Sequence, residues 1–357
     1  MVIPTNNPAP SKAVDPAHIY RPHRLLRSGN MQTFLGRHIP ADARLVTEDE
    51  QMVLFDGGPD QTGVDPARAV RLLGFYTQSR NRGDTLTKPK GLAMLLHGWE
   101  GDSHSAYNLV LGSALVRDGY DVVRLNLRDH GSTHHLNKGV FYATLIEEAH
   151  AATQQVGLLA AGKPFYIIGA SLGGSFVVRM ALRHAHNPIP NLRRAIAINP
   201  VLNPRRTSFL LDDHHLLRNY FRSCWLESLR KKQALFPQLY DFAPLESIST
   251  IREMSDWVIR SMSSYSDVDE YLNAYAVRPF EFNNLAVPVS ILTAANDPLI
   301  PPGDIAALPS HPLLQVHILP FGGHVGFNDL FPFRHRLPDL VRLLLDHHRM
   351  NSDFLDE

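Results

Sequence analysis

Three features of the sequence predict an open, doubly wound α/β sheet, mostly parallel and broken by one long helical insertion. Short apolar runs recur along the chain, each run is followed by a stretch with helical spacing, and one 80-odd-residue region shows helical spacing alone. Strands covered on both faces read as nearly continuous apolar runs, and strands alternating with helices build a parallel sheet.

The strand-like runs are Leu92–Leu96, Asp121–Leu127, Phe165–Ile168, Arg194–Ile198, Val287–Thr293 and Leu314–Leu319. Helical spacing is expected over Ala106–Arg117, over Phe141–Leu159 as far as the stop at Gly162-Lys163-Pro164, over Leu172–His184 and over Leu337–His348. Ala43–Phe55 and Ala69–Tyr76 are expected to add antiparallel edge strands.

Between Asn203 and Asn284 the apolar residues fall at helical spacing, as in Phe209, Leu210, Leu216, Leu217, Tyr220, Phe221, Trp225 and Leu229. This gives an expected organisation of a loose tail over 1–20, a first core part over 21–202, a helical lid over 203–284 and a second core part over 285–357. Inserted there, the helices would cover the carboxyl ends of the strands, where such sheets bind ligands.

Composition bounds the function. Lys+Arg and Asp+Glu balance at 35 each, which argues against a nucleic-acid partner. Hydrophobic residues form 44% of the chain, enough for a sizeable core. With one cysteine, Cys224, neither an intramolecular disulfide nor a cysteine metal site is expected, and the residue reads as a small buried apolar group. The first residues, MVIPTNNPAPSKAVDP, lack a signal peptide's apolar run, and no stretch approaches the ~18 apolar residues of a membrane span. A cytoplasmic protein is expected.

Gly169-Ala170-Ser171-Leu172-Gly173 matches G-x-S-x-G between a strand-like run and a helix, the setting of a nucleophile elbow. A serine needs a base. Among 19 histidines, His324 stands out because it follows the last strand-like run, in Phe321-Gly322-Gly323-His324-Val325-Gly326, with glycines expected to give the ring freedom to reach Ser171. Asp297, just past the preceding run, completes the order Ser, Asp, His that this arrangement uses. Asp304 is the rival acid, and Asp329 has the wrong order. Backbone N–H groups of Trp99, in His97-Gly98-Trp99-Glu100-Gly101, and of Leu172 are expected to hold an oxyanion. His97 reads as a structural histidine. Asp129, His130, His134 and His135 lack regular metal-ligand spacing, so they read as a loop near the pocket rim.

With these residues placed, the chain resembles the α/β-hydrolases, in particular their YheT-like branch (AB hydrolase family 4). Pro22 to Thr33, ending Gly29-Asn30-Met31-Gln32-Thr33, is similar to that branch's G-(N/H)-x-Q-T segment. Leu96–Gly101 is similar to its oxyanion loop, and Tyr271-Leu272-Asn273-Ala274-Tyr275 to a tyrosine-containing stretch in its lid. The likeness runs from Arg21 over nearly the whole chain. It implies an α/β-hydrolase fold and carboxylic-ester hydrolysis, in a branch with lipid esterases, phospholipases and alcohol acyltransferases. Two segments depart from the pattern: Arg128-Asp129-His130-Gly131 stands where relatives read R-G-C-S/G, and Arg252-Glu253-Met254-Ser255-Asp256 where R-x-F-D-D is commoner.

The expected function is therefore a serine esterase acting on small-molecule or lipid-like apolar acyl esters through an acyl-enzyme on Ser171, without metal or organic cofactor. The alternatives are acyl transfer to an alcohol and a non-catalytic ligand-binding homologue.

Overall fold

A computed structural model describes residues 16, 20–38, 41–79 and 88–352. Nearly all of the expected 1–20 tail lies outside the described residues. Eight strands form one sheet: β1 (Gln51–Pro59), β2 (Ala69–Thr77), β3 (Gly91–Leu96), β4 (Tyr120–Leu125), β5 (Phe165–Ala170), β6 (Leu192–Ile198), β7 (Val289–Ala294) and β8 (Leu314–Leu319). Their order is β1-β2-β4-β3-β5-β6-β7-β8. β2 is antiparallel to both neighbours, and all other pairs are parallel.

The apolar runs are continuous because both faces of the sheet are covered. In β3, Leu92, Met94 and Leu96 enter one core, while Ala93 and Leu95 enter the other. The first core is capped by α3 (Ile146–Leu159) and α4 (Leu172–Arg183); the second by α2 (Ala106–Arg117) and α9 (Leu337–Ser352). A short α1 (Gly29–Leu35) precedes the sheet.

The chain leaves β3 for β4 on one side and returns to β5 on the other. The crevice at this reversal, outside the carboxyl ends of β3 and β5, is where open α/β sheets bind ligands. Four helices are inserted between β6 and β7: α5 (Pro204–Asp213), α6 (His215–Leu235), α7 (Ile251–Met262) and α8 (Val268–Ala274). No strand occurs in this insertion, as its spacing predicts.

Two elements differ from expectation. Ala43–Phe55 is not one strand: Ala41–Thr47 is a 3-10 turn, and β1 begins only at Gln51. The apolar residues Ala43 and Val46 sit three apart and are buried together beside α2, where the Val46 N–H donates to Ser113 Oγ at 3.2 Å. The helix expected from Phe141 starts at Ile146. Residues 141–145 are drawn between core and insertion instead: the Phe141 N–H donates to Asp129 Oδ2 at 3.0 Å, and the Ala143 N–H to Tyr271 Oη at 2.9 Å.

Among the described residues, no helix is long and apolar enough to cross a membrane.

Candidate active site

Ser171 occupies the turn from β5 into α4 at φ 56° and ψ −119°, a conformation that L residues adopt only when their surroundings impose it. The sequence imposes it through its glycines. A Cβ on Gly169 would lie 2.3 Å from the Gly173 carbonyl oxygen, and one on Gly173 would lie 2.3 Å from that of His97. α4 therefore rests directly on the ends of β3 and β5. The Ser171 N–H is tied to the Ile198 carbonyl at 2.9 Å, leaving its side chain at the head of the helix.

The structure brings the three expected side chains together across 153 and 27 residues of sequence. His324 Nε2 lies 2.8 Å from Ser171 Oγ, and His324 Nδ1 lies 2.9 Å from Asp297 Oδ2. A carboxylate only accepts, so Nδ1 carries the hydrogen and Nε2 faces the serine with its lone pair. The Asp297 carboxylate is fully enclosed. Its Oδ1 accepts the N–H groups of Leu299 and Ile300 at 2.8 and 3.1 Å, and its Oδ2 accepts Asn199 Nδ2 at 2.6 Å. Asp304 is elsewhere, paired with Arg206 at 2.9 Å, and Asp329 accepts the His23 N–H at 3.0 Å.

The loop after β3 faces the serine from the other side. A Cβ on Gly98 would come 3.0 Å from Ser171 Cβ, a tight contact that glycine avoids as this backbone approaches the serine. Tyr107 Oη accepts the Gly98 N–H at 2.8 Å. His97 is fully buried; Nδ1 meets the Gly98 carbonyl at 2.8 Å and Nε2 accepts the Leu127 N–H at 3.0 Å. Both ring nitrogens are used and burial holds the ring below its ordinary pKa, so His97 braces the loop as a neutral group. Trp99 follows, its ring stacked on Phe221 at 5.4 Å and edge-on to Trp225 at 5.3 Å, both on α6. Leu172 is the first residue of α4, where the helix leaves N–H groups unpaired.

Two cavities meet at Ser171. One, of about 140 Å³, is apolar and walled by Trp99, Phe141, Leu211, Phe221, Trp225 and Val258. The other, of about 350 Å³, lies on the His324 side beside Arg37, Glu100, Tyr107 and Tyr220. A third, polar cavity of about 480 Å³ adjoins it and takes in Glu100, His130 and His134. Burial, reinforced by the Asp129 charge, pushes the Glu100 carboxyl up to about 8.

The histidine-rich loop is tied to protein groups. His130 Nδ1 meets the Arg128 carbonyl at 2.7 Å, and His134 Nε2 meets Ser228 Oγ of α6 at 2.8 Å. Burial and the neighbouring Lys232 hold the His134 ring down at about 4, so it is neutral near pH 7. Asp129, at φ 59°, is paired with Lys232 of α6 at 2.7 Å in a nearly waterless setting. This loop is thus the seam between core and insertion. Cys224, expected to be buried, is only partly so, because it sits on the side of α6 that faces the polar cavity.

Sequence reasoning missed Asn199, Tyr107 and Lys232. Each acts through a partner distant in sequence or through an ordinary-looking tyrosine, and no motif marks them. The glycines around His324 also work differently from expectation. Gly323, at φ 57°, is packed so tightly that a Cβ would meet the Gly29 carbonyl at 2.3 Å; it permits close approach and does not free the ring.

Comparison with known proteins points the same way as the fold. A family model described as the alpha/beta hydrolase fold matches residues 94–329. The Escherichia coli (strain K12) protein named "Putative esterase YheT" is 23% identical over 257 residues, 70% of this chain and 73% of that protein. Among solved structures, a membrane phospholipase A described as a novel bacterial virulence factor superposes with a TM-score of 0.51 at 20% identity, covering 86% of this chain and 89% of that one. A Pyrococcus furiosus esterase does so with a TM-score of 0.50 at 13% identity, covering 83% and 92%.

Proposed function

The chain belongs to the alpha/beta hydrolase family, and from that premise we propose that it is a serine esterase cleaving apolar acyl esters through an acyl-enzyme on Ser171. The observation that carries this reading is the 2.8 Å approach of His324 Nε2 to Ser171 Oγ, with Asp297 behind the ring.

His324 takes the hydroxyl proton as Ser171 Oγ attacks the ester carbonyl. Asp297 fixes the tautomer and stabilises the imidazolium that forms. Trp99 and Leu172 N–H groups bind the oxyanion, aided by the positive end of α4. The tetrahedral intermediate then collapses: the carbon–oxygen bond to the alcohol breaks, and His324 returns the proton to it. Water, deprotonated by the same imidazole, attacks the acyl-enzyme and releases the acid. These steps draw on side chains and backbone N–H groups alone.

The apolar cavity of about 140 Å³ takes the acyl group, and the larger one on the His324 side takes the alcohol. Residues 203–284 serve as a lid roofing the acyl side, since Leu211, Phe221, Trp225 and Val258 all come from there. Transfer to an alcohol in place of water is the second reading, favoured by the cavity of about 350 Å³ beside His324, which leaves room for an acceptor. A single cysteine with no partner in the chain fits a reducing compartment such as the cytoplasm.

A series of p-nitrophenyl esters tests the reading. Each methylene buried contributes about 0.8 kcal/mol, so kcat/KM should rise about fourfold per added methylene until the cavity is full, then fall. Acids with a charged chain end should be poor acyl donors. A profile flat in chain length, or preference for the charged acyl group, contradicts the assignment of the apolar cavity. Adding a short alcohol to the same assays and looking for the exchanged ester separates transfer from hydrolysis.

A further inference from the structure

Building on the reading of Ser171, Asp297 and His324 given above, we propose that Thr33 is a positioning residue for the reaction: its hydroxyl sets the backbone of His324, and with it the distance from imidazole to serine.

The His324 N–H donates to Thr33 Oγ1 at 2.9 Å, and the same hydroxyl donates to the Gly29 carbonyl at 2.8 Å. Its hydrogen is thus committed within α1, and a lone pair is turned to the histidine backbone across 291 residues of sequence. The other residues of the Gly29–Thr33 segment seat this helix. Gln32 is fully buried; its Nε2 donates to the carbonyls of Leu26 and Asn328 at 2.7 and 2.9 Å, and its Oε1 accepts the Asn328 N–H at 2.7 Å. Gly29 is in such close contact with the loop after β7 that a Cβ would lie 2.0 Å from the Asn296 carbonyl.

Asn296 links the same parts: its Oδ1 accepts the Gly323 N–H at 2.9 Å and its Nδ2 donates to the Arg27 carbonyl at 2.9 Å. On the far side of His324, a Cβ on Gly326 would meet the Gln32 carbonyl at 2.3 Å. α1 is therefore wedged between the loop that carries Asp297 and the loop that carries His324. Three residues of G-N-M-Q-T divide the work between them. Gly29 lets the Asp297 loop close in, Gln32 fastens the segment to Asn328, and Thr33 holds His324.

Catalytic groups held on packed supports lose rate steeply when displaced, roughly a hundredfold for a shift near 1 Å. Thr33→Val keeps the volume and shape of the side chain but removes the oxygen; Thr33→Ser keeps the hydroxyl. In the full-length chain, assayed on an ester the wild type hydrolyses, Thr33→Val should lower kcat by about 10- to 100-fold with KM little changed. The rate of fluorophosphonate labelling should fall in step, and the midpoint of the pH–rate profile should shift. Thr33→Ser should recover most of the turnover and the wild-type profile.

Wild-type turnover in Thr33→Val, while the native chain labels at Ser171, overturns the positioning role alone. So does a loss of activity that only tracks a fallen Tm and is shared equally by Thr33→Ser. A native chain that neither labels nor hydrolyses overturns the serine-esterase reading, and the positioning role with it.

Discussion

Asp297→Asn is expected to lower turnover of an activated ester by about 10,000-fold while leaving the chain folded. The reason lies in the donors around the carboxylate. Oδ1 accepts two backbone N–H groups, from Leu299 and Ile300, so in the amide the remaining oxygen is claimed by that site. The NH2 group then falls where Oδ2 was, facing Asn199 Nδ2 at 2.6 Å and His324 Nδ1 at 2.9 Å. Both of those are donors, so the histidine must move its hydrogen to Nε2 or turn away. Either leaves Ser171 without a base. Asp304→Asn should do nothing comparable, because that carboxylate is bound to Arg206 at the surface of the fold. Measuring kcat for both variants, with circular dichroism as the folding check, decides between the two acids. A small effect of Asp297→Asn beside a large effect of Asp304→Asn would mean the acid is misassigned.

Lys232→Met is expected to cost about 3–5 kcal/mol of stability, the range for leaving one member of a buried ion pair alone. Lys232 is 1% exposed and bonds Asp129 Oδ1 at 2.7 Å and the Asn137 carbonyl at 2.6 Å. Burial pushes the Asp129 carboxyl up and the Lys232 ammonium down, so each charge is kept in place chiefly by the other. The methionine fills the stem's volume but strands the carboxylate, which keeps the Phe141 N–H and the more distant Arg128 charge. Asp129→Asn in the same chain should restore part of the loss, since asparagine accepts the left-handed backbone of that position and carries no charge. Urea unfolding of the single and double variants measures both terms. A loss below about 1 kcal/mol in the single variant would contradict a buried, mutually dependent pair. Because Lys232 belongs to α6 and Asp129 to the core, the same result bears on how firmly the insertion is fastened.

What could be read from the sequence followed the range of each signal. The sheet was legible because β3, β5, β6 and β7 are buried on both faces, which leaves a run that needs no partner to be recognised. Ser171 was legible because its constraint is local: the glycines that let α4 rest on β3 lie within two residues of it. Asp297 and His324 came from order and from their place after strands.

Other features were hidden by physics that spans the chain. Residues 141–145 read as the start of a helix, since their bonds to Asp129 and Tyr271 depend on the insertion folding over them. The part of the 3-10 turn from Ala43 to Thr47 read as strand, because Ala43 and Leu45 alternate with Arg44; the buried pair is instead Ala43 and Val46, three apart, which a strand would put on opposite faces. Asn199 lies just past the run Arg194–Ile198 and no motif marks it, yet its amide reaches Asp297 Oδ2 and the Gly323 carbonyl, which lie 98 and 124 residues away. The histidines of the 130–135 loop read as a loop near the pocket rim because they lack metal-ligand spacing; the bonds of His130 to Arg128 and of His134 to Ser228 are what fix those two rings.

The central claim is that Ser171 is a nucleophile activated by His324. Incubating the native protein with a fluorophosphonate probe and locating the adduct by mass spectrometry tests it most directly. One equivalent of probe on Ser171, absent from Ser171→Ala and strongly slowed in His324→Ala, is the predicted result. No adduct on the native chain, or equal labelling of Ser171→Ala, would contradict it.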